Sequence, residues 1–170
     1  TLTTTPGGTG INAVDLTLES LSQSTGSGAM LNIATTTVGL AGSNARIKLT
    51  NAPTLVNNIL PWMVVGGAEF GSYIPYASYE GVTAGGVGAL NQVGFAGYDA
   101  SVLPATSRAT ANIRLTSAGT VPSSAGYTLN SLNLVGVGLS FTNASDVLSL
   151  SSGGLLKSGA AASIGGTVDS

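Results

Sequence analysis

Residues 147–168 read VLSLSSGGLLKSGAAASIGGTV, brief runs of Leu, Val and Ile two positions apart, interrupted by Ser-Gly and Gly-Gly. An apolar period of two puts alternate side chains on one face of a strand, and Gly pairs mark where each run must turn. No helical period of three or four occurs in this stretch. Strands this short bury too little apolar surface to fold alone, so they must stack on neighbours of the same kind. The pattern therefore predicts an all-β chain built as a β-solenoid.

Upstream text has the same style. In residues 11–19, Val14, Leu16 and Leu18 share one face while Asp15, Thr17 and Glu19 share the other. The segment AMLNIATTTV (29–38) follows a polar turn at 23–28. In ARIKLT (45–50), Ala45, Ile47 and Leu49 point inward and Arg46, Lys48 and Thr50 outward, and Asn51-Ala52-Pro53 closes the run because proline cannot donate to a ladder. After Leu60 the character changes: seven of the nine aromatics, Trp62, Phe70, Tyr73, Tyr76, Tyr79, Phe95 and Tyr98, crowd between glycines and Pro75. Strand text returns at TANIRLTSAG (110–119) and continues to the end, with signals about every 8 to 12 residues. The expected organisation is an extended lead-in over 1–10, coils over 11–60, an aromatic-rich inserted flap over 61–100, and coils over 101–170 that continue past the chain end. Leu16, Leu18, Ile33, Ile47, Leu49, Ile113, Leu115, Leu132, Leu134, Leu148 and Leu150 are expected to line one continuous interior.

The phrase LSLSSGGLLKSGAAASIGG, preceded by YTLNSLNLVGVGLSF, resembles the autotransporter-associated β-strand repeat of secreted or surface-displayed bacterial passenger proteins. ARIKLTNAPTLVNNILPWMVVGGAEFGSY and ATANIRLTSAG are similar to the same family, which extends the resemblance from about Ile11 onward. It implies a right-handed parallel β-helix, exported to the cell surface or beyond, with an adhesive or structural role. It implies no catalytic residues.

Composition narrows the function classes. Five Lys plus Arg stand against seven Asp plus Glu, so no basic stripe exists for a phosphate backbone, and nucleic acid is not expected as a partner. With no Cys, rigidity must come from packing and hydrogen bonds; with no His, the usual general base is missing. No cofactor and no metal are expected. The longest apolar run, about 59–68, is broken by Pro61 and Gly66-Gly67 and falls short of the about 18 residues of a spanning helix. The absence of an initiator Met and of a leader is read as a mature subunit or a slice of something longer. The ends lack cap-like text, so neighbouring copies or repeats stacked end to end are the expected partners.

Candidate sites are few. Trp62, Tyr73, Tyr76 and Tyr79 form the candidate ligand site, since flat rings with polar tips suit surface glycans or a host or matrix surface, although the same rings also suit a small satellite core. Asp15 and Glu19 lie on one strand face, where stacking would set them beside Arg46 and Lys48 as a surface ion ladder. A lyase or hydrolase would need Glu69 or Glu80 converging with a cation. Gly85-Gly86-Val87-Gly88 is expected to be a turn, and Asn143-Ala144-Ser145 is an N-glycosylation triplet that matters only in a eukaryotic secretory pathway. The function expected from all this is a non-enzymatic extracellular scaffold, with glycan binding as the alternative.

Overall fold

A computed structural model describes residues 14–35, 37–39, 45–75, 85–123 and 126–167. Every regular element among them is a strand, so the all-β class holds. The chain divides into two compact units, residues 1–97 and 98–170.

The first unit contains β1 (Val14–Leu18), β2 (Leu31–Ile33), β3 (Ala45–Leu49), β4 (Leu60–Val65), β5 (Glu69–Ile74) and β6 (Gly86–Ala89). β1 and β3 form a parallel pair in which Leu16 stands beside Ile47 and Leu18 beside Leu49, as their alternation requires. β2 pairs in parallel with β4, but β4, β5 and β6 then run antiparallel, giving a mixed four-stranded sheet.

The second unit is more regular. β7 (Arg108–Leu115), β9 (Tyr127–Val135) and β11 (Leu148–Ser158) make one parallel sheet, and β8 (Gly119–Val121), β10 (Leu139–Phe141) and β12 (Ile164–Thr167) make another. Like stacks on like: Ile113, Leu132 and Leu155 form one row, Gly119, Leu139 and Ile164 another. Along β9 the buried apolar positions change parity, from Tyr127 and Leu129 to Leu132 and Leu134. Register irregularities in β7 and in β11 both face that point, so all three strands bend together. The core between the sheets holds Ile113, Leu115, Val121, Leu129, Leu132, Leu134 and Leu139, each at most 2% exposed.

Three expectations need correction. The chain is not one continuous right-handed parallel β-helix; its strands form separate small sheets, one of them mixed. The reason lies at Gly66 and Gly67, whose φ angles are 62° and 65°. Two consecutive residues at positive φ produce a primed turn, which folds a strand back on its neighbour within a sheet instead of turning a solenoid corner. Nor do β4, β5 and β6 protrude as a flap. Leu60, Met63, Val65, Phe70, Tyr73, Val87 and Ala89 are buried, so the aromatic-rich stretch supplies the core of its own unit. The expected single interior is likewise divided: Leu49 lies in a cluster with Leu60, Met63, Tyr73 and Val87, with Leu18, Ile33 and Ile47 packed against it, while Ile113, Leu115, Leu132 and Leu134 belong to the core of the second unit.

The turn expected at residues 85–88 is also corrected, since Gly86, Val87 and Gly88 belong to a strand. β6 pairs with β5, Ser72 beside Gly88, and its glycines answer a steric demand. A Cβ at Gly86 would run into the Ile47 carbonyl oxygen, and one at Gly88 into the Phe95 ring.

Candidate functional site

Of the four aromatic candidates, the fold uses Tyr73 internally. Its ring is 8% exposed within the Leu49, Leu60, Met63 and Val87 cluster, and its hydroxyl donates to the Leu49 carbonyl at 3.4 Å. Trp62 is half-buried against the same cluster. Tyr76 and Tyr79 lie outside the described residues. Glu69 opens β5 and is 9% exposed, and Glu80 lies outside the described residues.

Parallel pairing of β1 with β3 sets Asp15 beside Arg46 and Thr17 beside Lys48. Asp15 takes both cations, at 2.5 Å from Arg46 Nε and 2.5 Å from Lys48 Nζ. Burial alone would raise its carboxyl, but the hydrogen bonds and charges of Arg46 and Lys48 outweigh that and hold it below the ordinary value of 3.8. The three side chains are partly exposed and make a surface ion cluster, with a contribution of about 0 to 1 kcal/mol per pair. Asn143 sits in an exposed turn, where its backbone N–H donates to Asp146 Oδ2 at 2.7 Å and its side-chain amide donates to Ser123 Oγ at 2.7 Å.

The second unit holds a polar column that the alternation pattern missed. Asn112, Asn130, Ser131 and Asn133 are each at most 1% exposed, among the buried apolar residues of β7 and β9. Asn112 Oδ1 accepts from Asn130 Nδ2 and from Ser131 Oγ, both at 2.7 Å. Asn130 Oδ1 in turn accepts from Ser151 Oγ at 3.2 Å, so the chain of bonds steps from β7 through β9 to β11. A second line runs beside it: Asn133 Nδ2 donates to the Tyr98 hydroxyl at 3.1 Å, and Ser158 Oγ donates to Asn133 Oδ1 at 3.2 Å. Asp99 joins by accepting the Asn112 backbone N–H at 2.8 Å. The signal in the text was LNSLNL, two Asn three positions apart inside a run that otherwise reads as core. A buried amide must find partners, and here each finds them one strand away along the stack.

Both lines end in serines on β11. That strand is the longest among the described residues, at 11 residues, and it lies at the outer edge of its sheet. β12 is the corresponding edge of the other sheet. The last members of the apolar rows are open to solvent: Leu155 is 51% and Ile164 52% exposed, whereas their row neighbours Leu132 and Leu139 are buried. The row Leu115, Leu134 ends in Lys157, whose Nζ donates to the Gly159 carbonyl at 2.9 Å. A shallow depression of about 230 Å³ lies along β8, β10 and β12, lined by Gly119, Thr120, Gly138, Ser140, Ser163 and Gly165 among others, and its side-chain polar groups are hydroxyls. Among the described residues no group of three or more acids gathers as a metal site. What the second unit offers chemically, among the described residues, is a strand edge without a further strand beside it, above apolar side chains open to solvent. No protein family, curated protein or solved structure matches this chain.

Proposed function

We propose that this chain is a non-enzymatic structural and adhesive module, exported and surface-exposed, that works by accepting further strands at its open edges. The observation that carries this is the β11 edge, with Leu155 half-exposed at the end of a row whose other members are buried. A strand edge presents a row of backbone donors and acceptors, and one backed by uncovered apolar side chains is a template for another strand. The exported setting is supported by the sequence resemblance, and the non-enzymatic reading by a chain that lacks both His and Cys.

Sedimentation velocity over a concentration series tests this. The weight-average coefficient of the full chain should rise with concentration, and the double variant Leu155→Asp, Ile164→Asp should abolish the rise. A coefficient independent of concentration in the parent chain overturns the proposal.

A further inference from the structure

From the pattern at the open edges we infer that the occupant of the β11 edge is β2 of a second copy, laid parallel to it with Leu31 beside Leu155, Asn32 beside Leu156 and Ile33 beside Lys157. The inference rests on the strand-accepting role proposed above and names its partner and register. β2 is the outermost strand of its own sheet, as β11 is of its sheet, and both belong to parallel pairs.

Three features of the two edges match. The first is the apolar rows. In the second unit Ile113 and Leu132 lead to Leu155, and Leu115 and Leu134 lead to Lys157. In the first unit Leu31 leads to Met63 and Ile33 to Val65, both buried. Joining the edges in this register continues each row without a break, and the methylene stem of Lys157 lies under Ile33 while its ammonium reaches water.

The second feature is the polar line. Leu31-Asn32-Ile33 repeats the order of Leu132-Asn133-Leu134, an Asn between two inward apolar residues. Asn133 accepts the Ser158 hydroxyl proton, which leaves the oxygen of that hydroxyl as an acceptor. Asn32, exposed in the single chain, brings an amide donor to the layer that Ser158 closes. The line that runs from Tyr98 through Asn133 to Ser158 thereby gains one more step.

The third is charge and exposure. β2 carries no charge and β11 only Lys157, so no like charges oppose each other across the contact. Met30, 62% exposed immediately before β2, falls beside Gly154 and next to the half-buried Leu156, which covers an apolar side chain that the single chain leaves in water. Because the two edges are different surfaces, the contact is head to tail and each copy keeps one free edge of each kind.

The test mixes two full-length variants. One, Met30→Asp with Asn32→Asp, has a blocked β2 and an intact β11; the other, Leu155→Asp, has the reverse. Circular dichroism and melting must first match the parent, with Leu155→Ser as the substitute should Asp unfold the chain. Each variant alone should sediment as a monomer, and the equimolar mixture should move to the coefficient of a dimer and no further. A mixture that stays monomeric overturns the β2 assignment, as does a β2 variant that still assembles by itself. Loss of assembly in the parent chain would instead remove the strand-accepting role on which the inference rests.

Discussion

Asp15 and Tyr127 give the stability of the fold opposite dependences on pH. The Tyr127 hydroxyl donates to the Pro104 carbonyl at 2.5 Å, and burial raises its pKa above the usual 10.0. A raised folded value means the neutral phenol is favoured in the fold, so its contribution is fully present below pH 10 and is lost as the pH rises through the folded value. Asp15 works the other way. Its folded value lies below 3.8, so the ion cluster stabilises above that pH and the contribution is lost as the pH falls through the folded value. Melting temperature against pH should therefore fall at both extremes. Tyr127→Phe should flatten the alkaline limb, and Asp15→Asn should flatten part of the acid limb. An alkaline limb unchanged in Tyr127→Phe would show that burial of this phenol does not govern it.

At the level of elements, β6 packs Val87 into the core while Gly86 lets its backbone approach β3 closely. Gly86 has φ of 77° and its α-carbon faces the Ile47 carbonyl, whereas Gly26, with φ of 73°, has open space where a Cβ would go. Gly26→Ala should cost about 1 kcal/mol, the ordinary penalty of a left-handed backbone. Gly86→Ala adds a steric clash against backbone and should cost at least about 2 kcal/mol more in urea denaturation. Equal losses in the two variants would mean that β6 shifts freely from β3. The same element marks the boundary of what the text reveals. Alternation in 14–18, 45–49 and 113–115 could be read directly, because one face of each strand is apolar and the other is polar. Gly85 to Gly88 could not, since a strand of glycines chosen for close approach looks the same as a turn. Tyr73 was legible as an aromatic suited either to a ligand or to a small satellite core, and the pattern could not decide between them, because its burial depends on β3 and β6 meeting it from distant parts of the chain. The β11 edge was legible only as alternation; that Leu155 ends its row follows from register, which no local pattern encodes.

For the whole molecule, 7% charged residues and a net charge of −2 leave little long-range electrostatics to steer association. The contact assigned to β2 and β11 is made of apolar rows and backbone hydrogen bonds. Its strength should change by less than about threefold between low and high salt, since only Lys157 lies at the contact. Tenfold weaker association at high salt in the same sedimentation series would point to an ionic surface elsewhere.

The buried amides also bear on how the chain finds its strand order. Ile113 and Leu115 on β7 lie beside Leu132 and Leu134 on β9, and by apolar contacts alone a shift of two residues would still set one of these side chains beside another. Asn112 and Asn130 do not permit it, because such a slip separates donors from acceptors in a place water does not reach, with a penalty of about 1 to 3 kcal/mol for each orphaned group. The amide line thus acts as a register key: an arrangement that satisfies the apolar rows but not the amides is disfavoured by the groups it leaves unpaired.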